Sequence, residues 1–192
     1  MTQSDPARGD SGLSPTDPAL LATPLEFLSE EHLRQRRICA VIDALADFGT
    51  VDRAAGESVL RFVDAELTLH MRDEAEDLFP LLAVRCSVDD GIGRVILGIL
   101  GDLDAAADLL PTVRASLSLC LQTGSDLSAK DGVALVRFSG HVRRHLVTEN
   151  AILLPIARAR LTKRDLQALS RRMRARRGLP PDLLPPDTPF PD

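Results

Sequence analysis

The sequence has no tryptophan and no tyrosine, and its 192 residues include only six phenylalanines. Aromatic platforms for stacking bases are therefore scarce. The formal net charge is −5, from 28 acidic and 23 basic residues, so the broad basic footprint of a nucleic-acid binder is missing as well. Nucleic acid is excluded as a main partner. The missing tyrosines also exclude a phenolate metal ligand or a tyrosyl radical. No apolar run approaches the ~18–20 residues that a membrane span needs, so no membrane partner is expected. The opening residues, Met1 to Asp10, are polar and hold no apolar h-region, and do not read as a secretory signal. Cysteine is sparse too: Cys39, Cys86 and Cys120 lie far apart with no C-x-x-C spacing. Such an odd, scattered set predicts reduced thiols acting as small core residues in a cytoplasmic protein.

What remains is an aliphatic, helix-forming chain. Apolar residues make up 44% of it, and Leu, Ala, Val and Ile must fill the interior, which suits packed helices better than strands. No stretch alternates with period two long enough to compete as a strand. The length predicts one domain. Residues 1–22, rich in Ser, Asp, Pro, Thr and Gly, read as a disordered leader. Residues 179–192 contain six prolines and read as a mobile or extended tail. Between them, residues 23–178 are helical throughout.

Thr23-Pro24-Leu25-Glu26 opens the first helix, with Thr as the cap, Pro at the first helical position and Glu reaching back to the cap amide. It runs to about Asp47 and stops at Gly49. A second helix follows Asp52 and extends to about Arg85, with Pro80 straining its last third. A third covers roughly Ile92 to Leu121, with Pro111 as a kink. A fourth runs from about Ser128 to Leu161, with Pro155 near its end. Thr162-Lys163-Arg164-Asp165 is a further capping box that opens a short basic helix ending at Gly178. Long helices with short connections predict an all-α, antiparallel up-down four-helix bundle with a short C-terminal fifth helix.

The chemistry is concentrated in an internal repeat. The second helix reads Glu66-x-x-x-His70-x-x-x-Glu74-x-x-x-Leu78-Phe79-Pro80, and the fourth reads His141-x-x-x-His145-x-x-x-Glu149-x-x-x-Leu153-Leu154-Pro155. Residues at i and i+4 lie one turn apart on the same helix face, so each imidazole and carboxylate point together. Neutral imidazoles with bridging carboxylates are what a di-iron or di-manganese centre uses inside a bundle. The chain has eight Glu and four His, and two chance His–Glu pairs at this spacing are on the order of 1%. Each motif alone would be an ordinary surface pair; the repetition in one register points to two halves of one site. His32, in Glu30-Glu31-His32-Leu33, is a further candidate from the first helix.

These residues resemble the hemerythrin-like (HHE cation-binding) family. The likeness is carried by Glu31-His32, His70-x-x-x-Glu74 running into Leu-Phe-Pro, and His145-x-x-x-Glu149 running into Leu-Leu-Pro. It covers residues 24–178, including the basic last helix. The resemblance implies His32, His70 and His145 as terminal iron ligands, and Glu74 and Glu149 as carboxylates bridging two irons, with one iron, Mn or Zn as alternatives. Family members usually place another His in the third helix, where this chain has Asp102-Leu103-Asp104. His141 or Asp102 is the candidate substitute, and Glu66 a candidate acceptor that orients an imidazole. The implied function is binding of O2, NO or a related small ligand for sensing, carriage or detoxification. An alternative is a di-iron oxidase, a peroxide- or NO-consuming enzyme, or an iron-delivery or repair protein. Another is a helical interaction module with a degenerate site, contacting a partner through Arg171, Arg172, Arg174, Arg176 and Arg177.

Overall fold

A computed structural model describes residues 13–181. Among them every regular element is helical and no strand occurs. The longest are α1 (Pro24–Phe48), α2 (53–85), α3 (Ile92–Thr123), α4 (129–160) and α5 (Lys163–Arg176). Their ends follow the cap chemistry closely. Gly49, at φ +70, supplies the left-handed residue that ends α1. Asp52 caps α2 by accepting from the Ala55 amide at 3.0 Å. Ser128 does the same for α4 through the Asp131 amide. At α5 the expected reciprocal box forms, with the Thr162 hydroxyl accepting from the Asp165 amide and the Asp165 carboxylate accepting from the Thr162 amide at 2.9 Å.

One cap departs from expectation. The Thr23 hydroxyl does not cap α1; it donates to the Leu20 carbonyl at 3.2 Å. A 3-10 turn, Pro18–Ala22, runs directly into α1 and offers that carbonyl. The expected disordered leader and proline-rich tail lie partly outside the described residues, at 1–12 and 182–192. Their described portions are packed: Leu21 is fully buried, Ser170 donates to its carbonyl at 2.6 Å, and Leu179 lies against the core.

Each of the four long helices has two others as neighbours. α1 packs on α2 and α4, and α3 packs on α2 and α4. The Leu127 amide donates to the Gly49 carbonyl at 2.7 Å, while Arg158 reaches Glu26 at 3.1 Å. The start of α4 therefore lies at the end of α1, and its end at the start of α1. α5 lies across α1 and the stretch Asp73–Leu78 of α2.

The core is divided. One apolar cluster holds Leu25, Leu28, Leu78, Ile99, Leu103 and Leu153 among others. The second holds Ile38, Leu67, Ala106, Val142 and Leu146. Burying each such leucine or isoleucine stabilises the fold by about 1.5–3 kcal/mol. Along α1, α2 and α4 the two clusters are separated by the same kind of layer: residues 31–35, 70–74 and 145–149. That layer is polar and buried, which is costly unless something compensates it.

Candidate metal centre

The prolines that close the repeated motif shape the helices around it. A proline ring clashes with the carbonyl four residues back and has no amide to give. Both helices widen just upstream instead of breaking. Asp73–Leu78 and Glu149–Leu153 are π-helical, and the Phe79 and Leu154 amides donate five residues back, to the carbonyls of Glu74 and Glu149. The helices continue through Pro80 and Pro155; the strain expected at Pro80 is taken up in the widened turn, and Pro155 lies near the end of its helix as expected. Each wide turn begins at or beside the motif carboxylate. Such π turns are frequent at functional sites because they re-aim side chains.

His32, His70, Glu74, His145 and Glu149 converge between the two apolar clusters, each with its side chain essentially shielded from solvent. One ligand atom from each of His32, His70, Glu74 and Glu149 can be chosen so that all lie within 4.8 Å of one another. His70 Nε2 is 3.1 Å from Glu74 Oε1, and His32 Nε2 is 3.5 Å from the same carboxylate and 3.4 Å from Glu149 Oε2. His145 Nε2 stands farther off, 3.9 Å from Glu149 Oε2.

None of the donor atoms facing this centre has an aligned hydrogen bond. Both nitrogens of His32 and His145, Nε2 of His70, and both oxygens of Glu74 and Glu149 are buried without one. Buried polar groups are normally satisfied, and so many in one layer without an aligned hydrogen bond are costly. A cation coordinated by one nitrogen of an imidazole and by the carboxylate oxygens offsets much of that cost, with small side-chain adjustments bringing N and O donors to roughly 2.0–2.2 Å. The residues fit a metal ion.

The charges are arranged for one. Burial favours the neutral form of His70, but Glu74 and Glu31 outweigh it and hold the imidazole well above its ordinary range. Burial likewise opposes the charge on Glu74, yet His70 and His32 keep this carboxyl well below the usual carboxylate range. Glu149 is pushed well above that range by burial and by the neighbouring Glu74 charge. Burial lowers His32, and lowers His145 to about 4. These opposing shifts come from the packing of imidazoles and carboxylates into one buried volume, and a cation bound there would displace any proton its ligands carry.

Of the further candidates, Glu66 forms a bidentate pair with Arg34 and lines a small cavity with Glu31, Gln35 and His70, outside the cluster of donors. His141 and Asp102 meet each other, Nδ1 to Oδ1 at 3.0 Å, and both contact Arg144. They form a partly exposed α3–α4 link outside the cluster of donors. Two further residues were not among the expected site residues, although Glu31 helped carry the family likeness. Glu31 Oε2 accepts from His70 Nδ1 at 2.9 Å, which leaves Nε2 of that ring turned toward the centre. Gln35, one turn beyond Glu31, is buried with its amide unpaired. A carboxylate beside His32 was visible in the sequence, but only packing shows that it belongs to the His70 ring.

α5 is tied to the same region. Arg176 pairs with Asp73, and with Asp77 at 2.8 Å and Glu76 at 3.0 Å. Arg177 reaches Asp73 at 2.7 Å and stacks over Phe27, and Arg172 reaches Asp77 at 2.9 Å. Asp73 is fully buried beside Glu74. Arg172, Arg176 and Arg177 are therefore engaged within the chain, and Arg174 donates to the Pro180 carbonyl. Four of the five arginines of the basic run thus have partners within the chain.

Residues 23–157 match the family described as hemerythrin HHE cation binding domain. A comparison with curated proteins finds no match. The matched region spans the whole of α1 to α3 and most of α4, and α5 lies beyond it.

Proposed function

The chain belongs to the hemerythrin HHE cation-binding family, and from that premise we propose that it is a non-haem iron protein that takes O2, NO or a related small ligand. The observation that carries this reading is the buried cluster of His32, His70, Glu74 and Glu149, whose facing atoms lie within 4.8 Å of one another and have no aligned hydrogen bond. Such a cluster has a physical rationale as a coordination shell. We read the ring of α1–α2–α3–α4 neighbours as an antiparallel up-down four-helix bundle, and the free cysteines support a reduced, cytoplasmic setting. Among the described residues no helix is long and apolar enough to cross a membrane.

The chemistry that bound iron supplies is one-electron redox and coordination of a small molecule. The chain's own residues prepare for it. Glu31 orients the His70 ring and fixes its Nε2 toward the centre. Glu74 and Glu149 bring two carboxylates into one small volume, which their mutual repulsion resists until a cation is present. Leu28, Leu78 and Leu153 on one side and Leu146 and Val142 on the other keep bulk water out. Exclusion of water strengthens the electrostatic grip on a cation and favours an uncharged ligand over ions. With no Tyr or Trp in the chain, oxidising chemistry here has no easily oxidised aromatic neighbour.

The test is metal analysis and visible spectroscopy of the purified protein, aerobically and after reduction. Iron should be bound and the spectrum should respond to NO. Glu74→Ala and Glu149→Ala should each lower occupancy. Undiminished metal binding in both variants would refute the assignment.

A further inference from the structure

The polar layer is not built evenly by the four helices. α1 contributes Glu31, His32 and Gln35, α2 contributes His70 and Glu74, and α4 contributes His145 and Glu149. α3 crosses the same level between Leu103, which belongs to one apolar cluster, and Ala106, which belongs to the other. Both are buried, as is Ile99 one turn before. The single buried polar residue of α3 among the described residues is Ser116, about 15 Å further along the helix at 1.5 Å per residue. One wall of the layer is therefore hydrocarbon.

The donors divide accordingly. His32, His70, Glu74 and Glu149 gather closely enough to share one ion, and two imidazoles with two carboxylates are a sufficient set for a borderline divalent metal. His145 stands outside that group, its Nε2 3.9 Å from Glu149 Oε2, and α3 carries no imidazole to join it. His141 does not fill the gap, because Asp102 and Arg144 hold it in the partly exposed α3–α4 link. Asp102 is held by the same contacts. A second ion would have His145 as its single imidazole, and its remaining protein donors would be oxygens shared with the first ion, so at least half of a six-coordinate shell would fall to water.

We propose that this chain holds one metal ion, bound by His32, His70, Glu74 and Glu149. In this arrangement His145 is a polar side chain beside the open coordination face, not a ligand of a second ion. The side of the layer that α3 walls with Ile99, Leu103 and Ala106 is then where an uncharged small ligand lies. The inference rests on the metal-binding reading above and specifies its stoichiometry.

The experiment loads the full chain anaerobically with Fe(II), and separately with Co(II), removes the excess by desalting, and measures metal per chain. About one ion per chain is expected, with His145→Ala retaining it at an affinity within about threefold of the parent. His70→Ala should lose it. Leu103→His, which returns an imidazole to α3, should raise the capacity to about two ions per chain. Helical circular dichroism checks the folding of each variant; if Leu103→His does not fold, the parent and His145→Ala decide the question. Two tightly held ions in the parent, loss of the ion in His145→Ala, or a folded Leu103→His chain that still holds one would each overturn the inference. Failure to bind either metal would instead overturn the metal-binding reading on which it rests.

Discussion

Replacing Glu31 tests how the centre is aimed without removing any group from it. Its Oε2 accepts from His70 Nδ1 at 2.9 Å, and the residue is 8% exposed, so the contact is a buried, charge-assisted hydrogen bond. Bonds of that kind contribute about 1.5–3 kcal/mol. In Glu31→Ala the His70 ring can change tautomer and rotate, and its Nε2 lone pair is no longer held toward the centre. Spread over metal binding, the loss corresponds to roughly 10–100-fold in affinity. Glu31→Gln keeps an acceptor oxygen but not the charge, and should fall between the parent and the alanine variant. The fold itself should suffer less, because Arg177 stands 3.9 Å from Glu31 but retains Asp73 at 2.7 Å. The assay is competition for Co(II) against a chelator of known affinity, with the visible Co(II) bands as a second readout of geometry. Binding by Glu31→Ala within twofold of the parent, with unchanged bands, would refute the orienting role. Equal weakening of Glu31→Ala and Glu31→Gln would show that charge, not hydrogen bonding, carries the effect.

Metal removal should lower stability by mass action: at free metal 100 times Kd the bound form is favoured by about 2.7 kcal/mol, roughly 5–10 °C in Tm for a chain of this size, read by thermal melts with and without chelator. Arg176→Ala removes one of the two arginine partners of each buried aspartate, Asp73 and Asp77, and should cost about 2 kcal/mol in urea unfolding; a loss below about 0.5 kcal/mol, the scale of an exposed pair, would contradict the buried clamp. Burial pushes the Cys39 thiol up from 9.0 to about 12. The folded state therefore resists forming a thiolate that the unfolded chain forms freely. Its contribution is complete below pH 9 and is lost as pH rises toward 12, by up to about 4 kcal/mol. Cys39→Ala should flatten that alkaline decline in denaturant titrations. In thiol labelling of the folded protein at pH 8, the partly exposed Cys86 should react while Cys39 should not.

The helical class, the positions of the long helices and the five residues of the buried layer were all legible in the chain order. Each depends on contacts within a few residues. Ser, Thr, Asp and Gly at helix ends act on the nearest backbone, and a His and Glu four apart share a face in any helix. The repeat of that pair, with its trailing proline, marked both halves of the layer. The structure altered details where a neighbour intervened locally, as when the turn at Pro18–Ala22 drew the Thr23 hydroxyl away from its cap.

What only the tertiary structure decided involves partners far apart in sequence. Glu31 meets His70 across 39 residues, and nothing near either predicts the other. The basic residues of α5 looked free because their acids lie about 100 residues earlier. Glu66, His141 and Asp102 have spacings that suit a ligand, yet Arg34 and Arg144 engage them and they stand outside the cluster of donors. The chain order determined which side chains could share a face of one helix, because that is fixed by the helical repeat. Which faces meet, and therefore that α3 presents Leu103 and Ala106 at the level where the other helices present donors, was decided by how the helices pack.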